Sequence, residues 1–277
     1  MSLVRRHPLI TYFVLAYVLS WWGWILYAFE LSPLPIVGFG PFLAALIVLA
    51  ATSGKSGVGG LLRRMVRWRV SPVWYAVALL VPVTITVFAA TLNVFVFGAQ
   101  GASSAELGGW PNFIPAFYLV LLIPGLGGTW EEPGWRGYAL PRLQTGRSAL
   151  AASLILGVLW AFWHLPLMVV GVVHYSEIVL VIAAAIVFTW AFNNASGSVL
   201  IVMLMHAMDD TISGGFFSLM FSGADSVRQS WLLVGLWCAV AIVVVVVYGP
   251  QHLSRKHRQQ EEDPVQPAMS TASPRVG

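Results

Sequence analysis

Three short stretches hold most of the side chains in this sequence able to do chemistry on another molecule. Thr129-Trp130-Glu131-Glu132-Pro133-Gly134-Trp135-Arg136-Gly137 offers two adjacent carboxylates. Trp160-Ala161-Phe162-Trp163-His164-Leu165-Pro166 offers an imidazole, and His206-Ala207-Met208-Asp209-Asp210 another beside two more carboxylates. Apolar surroundings push a carboxyl pKa toward neutrality and make the group a competent general base. An imidazole can orient a water or donate to a developing oxyanion. Spacing limits who pairs with whom. Glu132 and Arg136 are four apart, so on a helix they share a face and pair, while Glu131 points elsewhere. Trp160 and His164 repeat the interval, which lets the indole pack along the imidazole. So do His206 and Asp210, where the carboxylate can hold a ring nitrogen. Pro133 suits a helix start and places both glutamates at its positive end, and Pro166 kinks the chain just past His164.

Each group has an ordinary structural reading. A Glu-Glu pair is usually solvated charge, a membrane histidine often an interhelical hydrogen bond, and an Asp pair a helix end facing water. Their coincidence on separate apolar segments favours one polar pocket. His7, His174, His252 and His257 fall in flanks or loops and receive no role. Zinc helices of the His-Glu-x-x-His type, a Gly-x-Ser-x-Gly elbow and a phosphate-binding Gly-rich loop with Lys are all missing.

The elements that must position these groups are membrane helices. The chain has 277 residues, 58% hydrophobic and only 9% charged, against about 25% charged in soluble domains. Its 13 Trp and 8 Tyr suit a protein with many membrane–water interfaces. The basic pI does not signal nucleic acid, because the basic residues sit in short connections between apolar runs. The single Cys238 lies in an apolar run and reads as a packing residue. The predicted fold is an all-α polytopic bundle of about eight spans, near 9–29, 36–52, 73–97, 112–128, 148–170, 177–192, 198–222 and 231–248. The first is a retained helix rather than a cleaved signal. The fourth and seventh carry several glycines or polar residues.

With the N-terminus in the cytoplasm, fourteen of fifteen basic residues fall inside and only Arg228 outside. Eight spans with both termini cytoplasmic therefore satisfy the positive-inside rule. This topology puts Glu131 and Glu132 after the fourth span on the cytoplasmic side, and predicts substrate cleavage near that face, within or beside the bilayer. Residues 1–253 form the membrane domain, and 254–277 a polar tail lacking the apolar content to fold alone.

Glu131-Glu132-x-x-x-Arg136, Trp160-x-x-x-His164 and His206-x-x-x-Asp210 resemble the CPBP (CAAX protease and bacteriocin-processing, or Abi) family, over about residues 110–222. Two residues depart from its pattern: the second motif more often begins with Phe, and the third more often ends in Asn. The resemblance implies an intramembrane endopeptidase of membrane-associated, including prenylated, peptide or protein tails. Glu131 would be the general base, His164 would help hold the water, and His206 with residue 210 would stabilise the oxyanion. Glu132, Arg136 and Trp160 would position them. Asp210 could be protonated, could orient and charge His206, or could bind a metal; the spacing favours the second. Family members are often labelled metallopeptidases, and Glu131, His164, His206 and Asp210 make a nitrogen and oxygen set of a kind zinc accepts. A metal-free glutamate mechanism explains the same residues. Alternatives of other classes are a non-catalytic scaffold or bacteriocin-immunity protein and a proton-coupled transporter.

Overall fold

The computed structural model describes residues 3–32, 38–101 and 110–255. The expected tail beyond Arg255, with Lys256, His257, Arg258 and Arg275, lies outside the described residues, as does the start of the expected second span. Among the described residues there is no strand, and the fold is an all-α polytopic bundle.

After one turn at Leu3–Arg6, α1 runs Pro8–Ala28, α2 Gly40–Met65 and α3 Pro72–Phe95. Helix α4 is Phe113–Leu122. Residues 129–143 form α5, a helical segment built from successive 3-10, α, π and α turns. Helix α6 is Ala149–Trp163, followed by a short turn at Leu165–Val169. Helix α7 is Glu177–Asn194, α8 is Val199–Asp209 continuing into π turns at Asp210–Phe216, and α9 is Gly223–Tyr248. Helix α1 packs on α2, α6 on α7, α7 on α9, and α8 on α3.

Among the described residues, six helices are long and apolar enough to cross a membrane, against the eight spans expected. The other two expected spans are interrupted. Helix α4 has ten residues, about 15 Å of rise against a hydrocarbon core of about 30 Å. It stops where Ile123 turns extended, and Gly125 and Gly127 follow at φ +88° and +87°. Helix α6 ends at His164, one turn short of a full crossing, because Pro166 cannot donate into it.

The connection expected to be cytoplasmic is instead the interior. Every residue from Glu131 to Leu140 is buried, and α5 packs between α2 and α8. Close approach is enforced at Gly134, where any side chain would strike the Pro41 carbonyl of α2. Arg136 is 0% exposed, so it cannot report on membrane sidedness as the charge count assumed.

One end of the bundle is closed by polar contacts. Arg67 donates to the Ser196 carbonyl at 2.5 Å, and Ser198 donates back to the Arg67 carbonyl at 2.7 Å. Asn193 and Asn194 donate to the His252 and Leu253 carbonyls, and Ala149 N–H to that of Gln251. Counting from this end at 1.5 Å per residue, Trp160 lies about 17 Å along α6 and His206 about 12 Å along α8. That depth is well inside the span length.

Candidate active site

The geometry is set by α5, whose carboxylates point into the bundle from consecutive positions. The Glu131 Oε2 atom accepts from Trp160 Nε1 at 2.7 Å and from Trp135 Nε1 at 3.0 Å. Glu132 Oε1 accepts from Arg136 Nη1 at 2.7 Å and from His206 Nδ1 at 2.8 Å. The Arg136 guanidinium lies over the rings of Trp160 and Phe188, at 4.3 and 4.8 Å, a desolvated setting in which cation–π attraction is strong. Those two rings also meet the His206 imidazole edge-on, each at a centroid distance of 5.6 Å. Seven side chains from α5, α6, α7 and α8 thus form one continuous buried network.

Spacing anticipated the Glu132–Arg136 pair, and Glu131 does point away from it. The structure differs at His206. Its Nδ1 partner is Glu132, 74 positions away in sequence. Asp210 Oδ1 stands 3.7 Å from Nε2, an ion-pair separation too long for a hydrogen bond. Asp210 is occupied elsewhere, its Oδ2 accepting from the Gly128 backbone N–H at 2.7 Å. That contact clips the loop before α5 onto α8.

His164 caps α6 and gives Nδ1–H to the Trp160 carbonyl at 3.0 Å. Because the carbonyl only accepts, the proton is on Nδ1 and Nε2 keeps its lone pair. The imidazole is surrounded by indoles: Trp163 at 4.9 Å, Trp160 at 6.0 Å and Trp24 of α1 stacked at 6.5 Å. Trp160 is tilted 48° to the ring rather than lying along it.

Gly128 locates the reactive side of the pocket. A Cβ built there would overlap His206 Nε2 and stand 2.9 Å from Glu131 Oε1. The free glutamate oxygen and the free imidazole nitrogen therefore border the same small volume, which the missing side chain keeps open. Glu131 is 3% exposed.

The four residues read as zinc ligands are not gathered as a ligand set: among the described residues, no three His, Cys, Asp or Glu side chains group to hold a metal ion.

Four contacts were not expected from the sequence: Trp135 and Trp160 on Glu131, His206 on Glu132, and Gly128 on Asp210. Trp135 stands four residues after Glu131, so the interval that paired Glu132 with Arg136 could have found it. Nothing local signals that Glu132 reaches His206.

Residues 110–212 match the family described as type II CAAX prenyl endopeptidase, Rce1-like. All seven site residues named above from the motifs fall within that stretch. The stretch that carries the three motifs is therefore similar to type II CAAX prenyl endopeptidases. A similar relative is the CAAX prenyl protease 2 of Methanococcus maripaludis, 31% identical over 107 residues. The match covers 34% of this chain, and the chain spans 38% of the length of that relative. In CPBP terms, α5 carries the first motif, the end of α6 the second and the end of α8 the third. Both α5 and the third motif contain π turns, at Trp135–Ala139 and Asp210–Phe216. Such turns are frequent at functional sites because they re-aim side chains that a regular helix would stack.

Proposed function

We propose that this chain is an intramembrane endopeptidase that hydrolyses membrane-associated protein or peptide tails with a water activated by Glu131. The observation that carries the reading is the shared volume beside Gly128, bordered by Glu131 Oε1 and His206 Nε2. A water held there by Oε1 and the His164 lone pair gives its proton to Oε1 as its oxygen attacks the peptide carbonyl. The carbonyl π bond opens to an oxyanion, which His206 Nε2–H stabilises while Glu132 holds Nδ1. The Glu131 proton then passes to the departing amine as the C–N bond breaks. General-base help is worth about 10²–10⁴-fold and one oxyanion donor about 10²–10³-fold.

Asp210 acts by holding Gly128 and facing His206 rather than by donating to the oxyanion, which an ionised carboxylate cannot do. The relative's printed name, a prenyl protease, adds prenylated tails to the substrate class. The protein sits in the plasma membrane with both termini cytoplasmic; the basic residues Arg67, Arg147 and Arg255 at the polar end of the bundle support this sidedness. The depth of Trp160 and His206 supports cleavage within the bilayer rather than beside it.

The test is a comparison of membrane peptides from cells carrying wild type or Glu131→Ala. Uncut tails should accumulate in the variant. Identical peptide profiles, with phenotype retained, would favour a scaffold, and pH-coupled uptake in vesicles a transporter.

A further inference from the structure

Trp160 stands where the family more often has Phe. The two side chains present similar rings, yet only the indole carries an N–H, and here it reaches Glu131 Oε2 at 2.7 Å. Trp135 adds a second indole N–H to the same oxygen at 3.0 Å. Both donors fall on Oε2, while Oε1 faces Gly128 and Gly38. A free carboxylate can rotate about its terminal torsion and exchange its oxygens. This one cannot do so without breaking two charge-assisted hydrogen bonds in a dry site, where each is about twice as strong as a neutral one.

We propose that Trp160, with Trp135, is a positioning residue that fixes Oε1 as the proton-accepting oxygen of Glu131 and holds the carboxylate ionised where it reacts. The inference rests on the reading of Glu131 as the base. Trp160 also carries Arg136 over its ring at 4.3 Å and meets His206 edge-on. A phenyl ring retains those contacts in kind, so Trp160→Phe isolates the N–H from the packing. Hydrogen bonds to an ionised carboxylate favour the charged form, so removing one of the two indole donors moves the proton uptake of Glu131 to higher pH. The charged and titratable groups around it are Glu132 and Arg136 on α5, Tyr12 on α1, His206 and Asp210 on α8 and the adjacent His164 on α6. The substitution alters none of them.

The full chain in lipid nanodiscs, cleaving a membrane-anchored reporter peptide, supplies the measurement. Trp160→Phe should lower kcat about ten- to hundredfold at pH 7 with KM within about twofold. Its acid limb should move up, so that the deficit shrinks as pH rises. Trp135→Phe should shift the limb in the same direction, and it serves as the test if Trp160→Phe does not fold. Glu131→Gln runs alongside. If Glu131→Gln cleaves like wild type, the base assignment fails and the inference with it. If Glu131→Gln is inactive while the folded Trp variant keeps the wild-type kcat and limb, the inference alone is overturned. A kcat loss equal at every pH overturns it too, since that is the mark of a merely structural indole.

Discussion

Helices α5 and α9 lie in the same bilayer and solve opposite problems. Helix α9 is a 26-residue rod that turns several valines outward, Val246 being 77% exposed, while Val234 and Val244 pack inward. Its own backbone bonds satisfy every interior peptide group, and lipid serves its side chains as well as protein would. The α5 segment is short, irregular and charged, and it is wrapped by α2, α6, α7 and α8. Its charges survive there because each is answered: Arg136 and His206 on Glu132, and two indoles on Glu131. Removing a partner should therefore cost much in α5, whereas trimming α9 should cost little.

The largest effect is expected at the Glu132–Arg136 pair. Breaking a buried ion pair leaves an unpaired charge and costs about 3–5 kcal/mol, so Arg136→Ala should sharply reduce the folded yield extracted from membranes. The half-exposed Arg228–Asp225 pair, 3.0 Å apart at the first turn of α9, supplies the contrast. Arg228→Ala should change stability by about 1 kcal/mol or less. Equal losses in both variants would mean that α5 is not buried as described.

Next comes Gly128→Ala. Its methyl would enter the volume shared by Glu131 Oε1 and His206 Nε2, and turnover should drop at least about a hundredfold, the scale of losing one aligned catalytic contact. Near wild-type cleavage would show that substrate chemistry happens elsewhere. Asp210→Asn should keep substantial activity, because an amide oxygen can still accept from Gly128 N–H. Asp210→Ala frees that clip and should lose much more. An Asp210→Asn variant as inactive as Glu131→Gln would point to a carboxylate acting directly.

A smaller, graded effect is the pH profile. A base must be ionised to act, so kcat should rise with pH along an acid limb and level above it. A kcat that does not change with pH would contradict a titrating base. The smallest effect belongs to α9, where Val246→Ala should leave both activity and stability within about 0.5 kcal/mol of wild type.

The same contrast explains what was legible in the sequence. Hydropathy found α9 and the other long helices because a lipid-facing rod is defined by composition over about twenty residues. It could not find α5. A window over 112–128 averages Gly125, Gly127 and Gly128 into an apolar mean, although their positive-φ turn and close approach end the helix. The charges of 131–136 then resemble a solvated loop, since composition does not say whether a partner waits inside. Interval rules identified Glu132–Arg136 and, applied once more, would have given Glu131–Trp135. The Glu132–His206 and Gly128–Asp210 contacts link segments 74 and 82 positions apart. These arise from how α5 docks on α8, which no local pattern encodes. The family resemblance named the groups that meet, and the same interval rule that paired Glu132 with Arg136 left Asp210 holding the histidine that Glu132 holds.

The most direct test of the account is cleavage by Glu131→Gln, purified in nanodiscs and shown folded by its Tm. An amide fills the same space and cannot take a proton from water. Turnover of the anchored reporter should fall to the uncatalysed background at every pH. Turnover retained within about tenfold of wild type would contradict a glutamate-activated water at this site.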